Sequence, residues 1–158
     1  MYGFRPSTQW HIVFDGRHEI DRFRKANNRN DTFDGVQASV HYTGLGYRFT
    51  PVLGIAAGRR NVNEHSQSYH NEDLIAGVEI IPIDPLYFSV AYRRQNRSYD
   101  SSPSNATERH GIAELVGDWH AAPRIHLILY YASEDVNSTL PQSDFRTGIL
   151  ILGTSYSF

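Results

Sequence analysis

The chain is 158 residues long, which is room for a single domain spanning residues 1–158. Its formal charge is −2, and its fourteen Arg and one Lys are spread among acidic residues, so no overall field marks it as a nucleic-acid-binding protein. It has no cysteine, which excludes a disulfide framework and thiolate metal sites.

Membrane-crossing helices are not expected, because no run approaches roughly 20 apolar residues and the mean hydropathy is −0.47. A membrane β-strand needs only about 9 to 11 residues with one apolar face, so low hydropathy does not argue against a membrane barrel. The first six residues contain no apolar signal core. We therefore expect an exported protein of this sequence to be a mature chain or part of a longer one.

Alternation of apolar and polar residues with a period of two is the dominant signal along the chain. It starts at Trp10, Ile12 and Phe14, which share one face of an extended segment. Similar segments follow, separated by stretches rich in Gly, Pro, Asn and Ser. The predicted strands are 9–15, 36–43, 47–59, 74–81, 86–95, 110–120, 125–132 and 145–158.

The connections alternate in length. Short turns follow the second, fourth and sixth strands, helped by Gly44 and Gly46 in the first turn and by Pro82 and Pro85 in the second. Long polar segments follow the other strands, at 16–31, 61–72, 97–109 and 134–144. Membrane barrels show this pattern, with long loops outside and short turns inside. The sequence therefore predicts an all-β fold, an eight-stranded antiparallel up-and-down transmembrane β-barrel with both termini on the short-turn side.

The last predicted strand ends on an aromatic residue and places Leu150, Leu152, Tyr156 and Phe158 on one face. This segment resembles the C-terminal signature of Gram-negative outer-membrane proteins. The resemblance implies that Leu152, Tyr156 and Phe158 form an assembly signal for the barrel-assembly machinery and that the protein lies in the bacterial outer membrane. Through its loop rhythm, the whole chain resembles the small barrels of the outer-membrane protein A class.

Large aromatic residues gather at the strand ends on the short-turn side, which predicts an interfacial aromatic girdle. Its members are Trp10, Tyr42, Tyr47, Phe49, Phe88, Trp119, Tyr156 and Phe158. The alternative is a soluble lipocalin-like barrel, in which the apolar face would point inward around a ligand.

The polar face carries charges of both signs, which predicts a hydrogen-bonded plug, because side chains fill the interior of an eight-stranded barrel. The predicted lumen network comprises Arg48, Glu79, Arg93, His110, Glu114, Asp118 and His120, with His11, His41 and His126 on the same face. We expect Arg48 or Arg93 to pair with the glutamates of this network. The face is also partly apolar, which argues against a wide aqueous channel. Its isoleucines are Ile75, Ile128, Ile149 and Ile151.

Enzymatic activity is not expected, although a lipid-modifying outer-membrane enzyme is an alternative. The phospholipases and lipid A deacylases of this membrane carry a His and a Ser two residues apart on a strand, and this chain has no His-x-Ser. The nearest equivalent, His41 with Thr43, falls at the short-turn end. The Asp-Asp pair of omptin proteases is also lacking. Asp118 and His120 share a strand face, but a polar network explains them without a catalytic site.

No cofactor and no metal are predicted, although two loops contain groups that bind ligands elsewhere. His65 and His70 lie near Glu64 and Glu72 and would suit a metal, but solvated side chains are the simpler explanation. The first loop is mildly basic and would suit lipopolysaccharide phosphates. Its basic residues are Arg17, Arg22, Arg24, Lys25 and Arg29.

The expected role is structural or interactive: a porin-like scaffold in outer-membrane lipid that presents four extracellular loops and binds no nucleic acid. The alternative is the C-terminal part of a larger porin-like or exopolysaccharide-export barrel. The segments Arg97-Ser-Tyr-Asp and Asp144-Phe-Arg resemble repeats of such barrels. Eight strands from such a parent would have unpaired edges or would close on themselves.

Overall fold

The computed structural model describes residues 2–4, 8–22, 30–46, 48–63, 67–100, 106–122, 124–139 and 144–156. These residues form an all-β sheet, and none of them belongs to a helix long and apolar enough to cross a membrane. The strands are β1 (Tyr2–Phe4), β2 (Trp10–Asp21), β3 (Asp31–Tyr42), β4 (Phe49–Val62), β5 (Tyr69–Ile83), β6 (Leu86–Tyr99), β7 (Thr107–Ala122), β8 (Ile125–Ser138) and β9 (Phe145–Tyr156).

Every strand pairs antiparallel with the next strand in the chain, so the order across the sheet is the order of the sequence. The eight long strands, β2 to β9, correspond to the eight predicted ones. The prediction of an all-β, up-and-down antiparallel fold with eight strands is therefore confirmed. The sequence did not predict β1, which pairs Tyr2 with Phe14 of β2, because three residues are too few for an alternation to be recognised.

Several strands extend beyond the apolar alternation into residues that the sequence placed in loops. β2 continues to Asp21 and β8 to Ser138. The ladder hydrogen bonds join main-chain groups, which pair equally well beneath polar side chains. The connections between strands shorten as a result to 22–30, 63–68, 100–106 and 139–144. The connection 43–48 is as long as 63–68, so the predicted strict alternation of long and short connections is wrong at that position.

The two faces of the sheet differ in chemistry. On the face that we call outer, apolar side chains stand in register, as in the row Val40, Leu53 and Ala76. On the opposite, inner face, Asp73, Gln95 and His110 stand in register and are buried. A sheet of one layer buries such residues only when it curls toward them.

A cavity of about 130 Å³ confirms the curl toward the inner face. Its walls include Arg17 of β2 and Arg93 of β6, which are four strands apart in the sheet. Strands that far apart line one cavity only when the sheet is strongly curved. The inner face is therefore the concave side of the fold.

The curl does not complete a ring, and the sheet is not closed. Among the described residues, β9 pairs only with β8, and the other edge of β2 pairs only with β1, over residues 12–14. The predicted barrel closure is therefore not observed. Two edges keep main-chain donors and acceptors that a further strand would satisfy.

Phe33 is packed on the inner face over two glycines. A Cβ atom at Gly58 would lie 2.6 Å from Cζ of Phe33, and one at Gly35 would lie 2.7 Å from Cε1. The ring reaches the backbone only because both positions lack a side chain. The guanidinium carbons of Arg60 and Arg17 lie 5.7 Å and 6.0 Å from the ring centroid, within the range of cation–π attraction.

We expect Gly58→Val to lower the free energy of unfolding by about 1–3 kcal/mol, the usual cost of overpacking, because it displaces the Phe33 ring from the sheet. Urea titration followed by tryptophan fluorescence measures this change. Gly16→Val is the matched control, since a Cβ atom at Gly16 meets no atom within 4 Å. Equal midpoints for the two variants would contradict the packing of Phe33 described above.

Candidate functional site

A hydrogen-bonded row of buried polar residues crosses β5 and β6 on the inner face. Asn71 Nδ2 donates to Asp73 Oδ1 at 2.8 Å, and Gln95 Nε2 donates to Asp73 Oδ2 at 3.2 Å. Arg97 Nε donates to Gln95 Oε1 at 2.6 Å, and Arg93 Nη1 lies 3.6 Å from Asp73 Oδ2. The Asp73 carboxylate, which is only 4% exposed, is therefore surrounded by donors that offset the cost of burying its charge.

His110 continues this row on β7 and lies between two carboxylates. Its Nδ1 is 2.6 Å from Glu134 Oε1 of β8, and its Nε2 is 3.1 Å from Glu108 Oε2. The Tyr99 hydroxyl also donates to Glu108 Oε2, at 2.8 Å. Ionised carboxylates only accept hydrogen bonds, so a ring nitrogen of His110 that carries a proton donates to the carboxylate that it faces. The imidazole is 2% exposed and links β7 to β8, and Tyr99 extends the network to β6 through Glu108.

A second charged cluster lies on the inner face of β2 to β4. Arg60 places Nη2 3.8 Å from Glu19 Oε2 and Nη1 3.4 Å from Asp31 Oδ2. Arg17 contacts Glu19 as well. Among the described residues, the long-range ion pairs of these two clusters join neighbouring strands or, for Arg60 and Glu19, strands two apart. These charges therefore hold the wall together and do not bridge across the concave side.

A cavity of about 730 Å³ opens at the long-loop end of the sheet. It is lined by charges of both signs, among them Asp21, Arg22, Arg59 and Asp100. Arg59 Nη2 is already bound to Asp100 Oδ2 at 2.9 Å. The cavity therefore presents balanced charge at its mouth.

A third group of ionisable residues lies on the inner face at the short-turn end. Asp118 and His120 lie on β7, and His126 stands opposite His120 on β8. Asp118 Oδ2 is 3.5 Å from His120 Nε2, and Asp118 Oδ1 is 3.6 Å from His126 Nδ1. The two imidazole rings are 3.9 Å apart between centroids, tilted by 43°. The ligand atoms of the three residues all lie within 4.8 Å of one another, the spacing of a metal site.

The remaining members of the predicted lumen network have other partners than expected. Glu79 lies 3.9 Å from His41 Nδ1, and Glu114 accepts a hydrogen bond from the Tyr130 hydroxyl at 3.1 Å. Arg48 is exposed and donates to the main-chain oxygen of Pro82. Arg93 of the network lies beside a carboxylate, that of Asp73.

The described aromatic residues of the predicted girdle lie on the outer face at the short-turn end. Trp10 and Tyr42 stand in register with ring centroids 4.5 Å apart, and Phe49, Phe88 and Trp119 follow along the same end. Of the predicted assembly signal, Leu152 is on the outer face and 74% exposed. Tyr47 and Phe158, and the side chain of Tyr156, lie outside the described residues.

Sequence reasoning missed the most buried part of the inner face. Asn71, Asp73 and Gln95 were not singled out, and neither were Glu108 and Glu134, the two partners of His110. Several of them fall in segments that polarity assigned to loops. The sequence offers no periodic signal there, because 70–73 and 93–97 are polar at every position and so show no alternation.

These clusters pair charged groups, and the ligand atoms of Asp118, His120 and His126 lie close enough to share a metal ion. On the same face, Ser39 Oγ lies 3.1 Å from His41 Nε2, and Ser39 is buried. A scan against family models finds no match for this chain, and neither does a search of curated proteins.

We expect His110→Ala to lower the free energy of unfolding by about 3–5 kcal/mol, because it leaves two inner-face carboxylates without their shared partner. The measurement is the shift of the urea midpoint. His18→Ala is the control, since His18 Nδ1 lies an equally short 2.6 Å from Asp34 Oδ1 but the pair is exposed on the outer face. An exposed pair contributes about 0–1 kcal/mol. Similar losses in the two variants would contradict a special role for burial at His110.

Proposed function

We propose that this chain forms the wall of a membrane-spanning β-barrel in a bacterial outer membrane, where it serves as a scaffold and interaction surface. The observation that carries the proposal is the apolar outer face. Its most exposed members include Val36, Leu53, Ile55, Leu74 and Leu152, each more than 60% exposed.

Water is a poor solvent for such a face. Burying one Leu or Ile side chain contributes about 1.5–3 kcal/mol, and here many such side chains line up in register across adjacent strands. Continuous apolar patches of this kind mark surfaces that contact protein or lipid. Lipid suits this one because the patch follows the whole width of the sheet and has an aromatic edge at the short-turn end.

The inner face argues against a soluble lipocalin-like barrel. A ligand-binding barrel would turn its apolar side chains inward, whereas the concave side here carries the buried polar side chains of Asp73 and His110. Isoleucines also lie on this side, and three of them, Ile75, Ile128 and Ile151, stand in register with Arg93, Asp118 and Tyr130, while Ile149 stands opposite Ala132. A polar interior with an apolar exterior is the arrangement of membrane barrels.

The partners that we propose follow from this placement. Lipid contacts the outer face, and lipopolysaccharide phosphates suit the basic connection 22–30, of which Arg22 is described. The strand β9 would present its C-terminal residues to the barrel-assembly machinery. We propose no catalytic activity and no cofactor for this scaffold.

A second candidate is that the chain forms part of the wall of a larger porin-like or export barrel. It is favoured by the two free edges of the sheet. Closure of the eight long strands would pair β9 with β2, but β1 already occupies residues 12–14 on that edge of β2. Additional strands, from more of the same polypeptide or from other copies, would satisfy both edges.

The membrane proposal predicts that Leu53→Arg is costly in lipid. An arginine at the bilayer midplane of a barrel costs about 2–4 kcal/mol, and one near the interface costs about 0–1 kcal/mol. Equilibrium unfolding from phospholipid vesicles measures the change, with Asn96→Arg at the long-loop end of the same face as control. In a water-soluble protein Leu53→Arg would leave the free energy of unfolding unchanged, because the side chain is 66% exposed. An unchanged free energy of unfolding would contradict the membrane proposal.

Cysteine pairs distinguish a closed eight-stranded barrel from a wider one, since the natural chain has no cysteine. One cysteine replaces Gly16 of β2, and the second replaces Gly148, Leu150 or Leu152 of β9 in turn. A disulfide needs Cα atoms about 4.4–6.8 Å apart, so an intrachain bond at one of these positions requires β2 beside β9. We expect an intrachain bond for the closed barrel, and for the wider barrel interchain bonds or none. The readout is mobility on a non-reducing gel after oxidation in micelles.

A further inference from the structure

We propose that Asp118, His120 and His126 bind a divalent first-row transition metal, Zn²⁺ being the best match, at the short-turn end of the inner face. The three residues offer two imidazole nitrogens and one carboxylate, the donor set of many zinc sites with an open coordination position. This site goes beyond the scaffold role and does not depend on lipid.

The spacing of the donors matches a metal centre. Ligands at 2.0–2.1 Å in a tetrahedron lie about 3.3–3.4 Å apart. The two Asp118–His distances are 3.5 Å from Oδ2 and 3.6 Å from Oδ1, and the three ligand atoms lie within 4.8 Å of one another. Both carboxylate oxygens therefore face the site, and binding through both oxygens, or a rotation of the Asp118 side chain, brings all three residues onto one ion. Neither distance is a hydrogen bond, since such bonds between N–H and O are about 2.7–3.2 Å long.

His110 differs from His120 and His126 in its distances to the neighbouring carboxylates. His110 also lies between two acidic groups, yet its nitrogens approach them to 2.6 and 3.1 Å and form direct hydrogen bonds. Around Asp118 the gap is wider, and Asp118 Oδ1 is shielded from solvent without any hydrogen-bond partner. An oxygen of this kind has a free lone pair that a cation would satisfy.

The local fold holds the donors in place. Asp118 and His120 are two residues apart on β7 and point to one face, and His126 is in register with His120 across the turn to β8. One hairpin therefore supplies all three ligands. The residues in register beside them, Tyr87 and Ile128 next to Asp118, carry no positive charge that would repel a cation.

The test is titration of the 158-residue chain with Zn²⁺, in micelles or in buffer according to where the chain shows β structure by circular dichroism. A chromogenic chelator reports the affinity, and Co²⁺ in place of Zn²⁺ reports the coordination by its visible spectrum. We expect one ion per chain and an affinity at least about 10-fold weaker in His126→Ala and in Asp118→Asn. Asp118→Asn keeps the side-chain volume, so its result stands even if an alanine variant folds poorly.

His18→Ala and His70→Ala are the controls, because both histidines are exposed, lie beside an aspartate and are remote from the hairpin. They are expected to leave affinity and stoichiometry unchanged. Absence of binding to the folded chain, or binding that is lost in His70→Ala but kept in His126→Ala, would overturn the proposal. If the chain folds in buffer without micelles, that result contradicts the membrane role alone. The expected binding of one metal ion per chain does not depend on it.

Discussion

Main-chain hydrogen bonding between neighbouring strands is the constraint on which this structure depends. Each strand from β3 to β8 pairs its amides and carbonyls with a long strand on both sides, and that requirement carries the ladders beyond the apolar residues into polar ones such as Arg60 and Tyr69. The same requirement is unmet along β9 and along much of β2. A lipid environment would make those edges far more costly, because it supplies no hydrogen-bond partners. The free edges are therefore the strongest physical reason to expect further strand pairing, within this chain or with others.

The separation of chemistry between the faces follows from strand geometry. Side chains alternate across a strand, so each row of residues in register lies on one face, with most apolar rows on the outer face and the buried polar rows on the inner face. Curvature then buries the inner rows without a second layer of structure. The buried side chains survive there because they pair with one another, as Asp73 does with Asn71 and Gln95. The inner face therefore acts as a polar core, whereas the apolar outer face is the surface that requires contact with lipid or protein.

Two histidine clusters on the same face illustrate how a small difference in distance changes chemistry. His110 is locked by direct hydrogen bonds and contributes to the cohesion of three strands. The histidines at the short-turn end stand further from Asp118 and are partly exposed, so solvent ions reach them. Both clusters pair histidine with carboxylate, and sequence spacing of two residues occurs in both. The two clusters differ in the residue that β8 supplies: Glu134 binds His110, whereas a second imidazole, His126, stands opposite His120.

The sequence by itself determined the all-β class, the eight long strands and the face on which each residue lies, because a period of two is a local property of extended chain. It also placed Asp118, His110 and His120 on the inner face and Trp10 and Phe49 on the outer one. The tertiary structure decided the register, and with it the partners: Arg93 meets Asp73, and His126 meets Asp118. It also decided that the sheet is curved but open. Register, curvature and closure depend on main-chain bonds between residues distant in sequence, which leave no periodic signal along the chain.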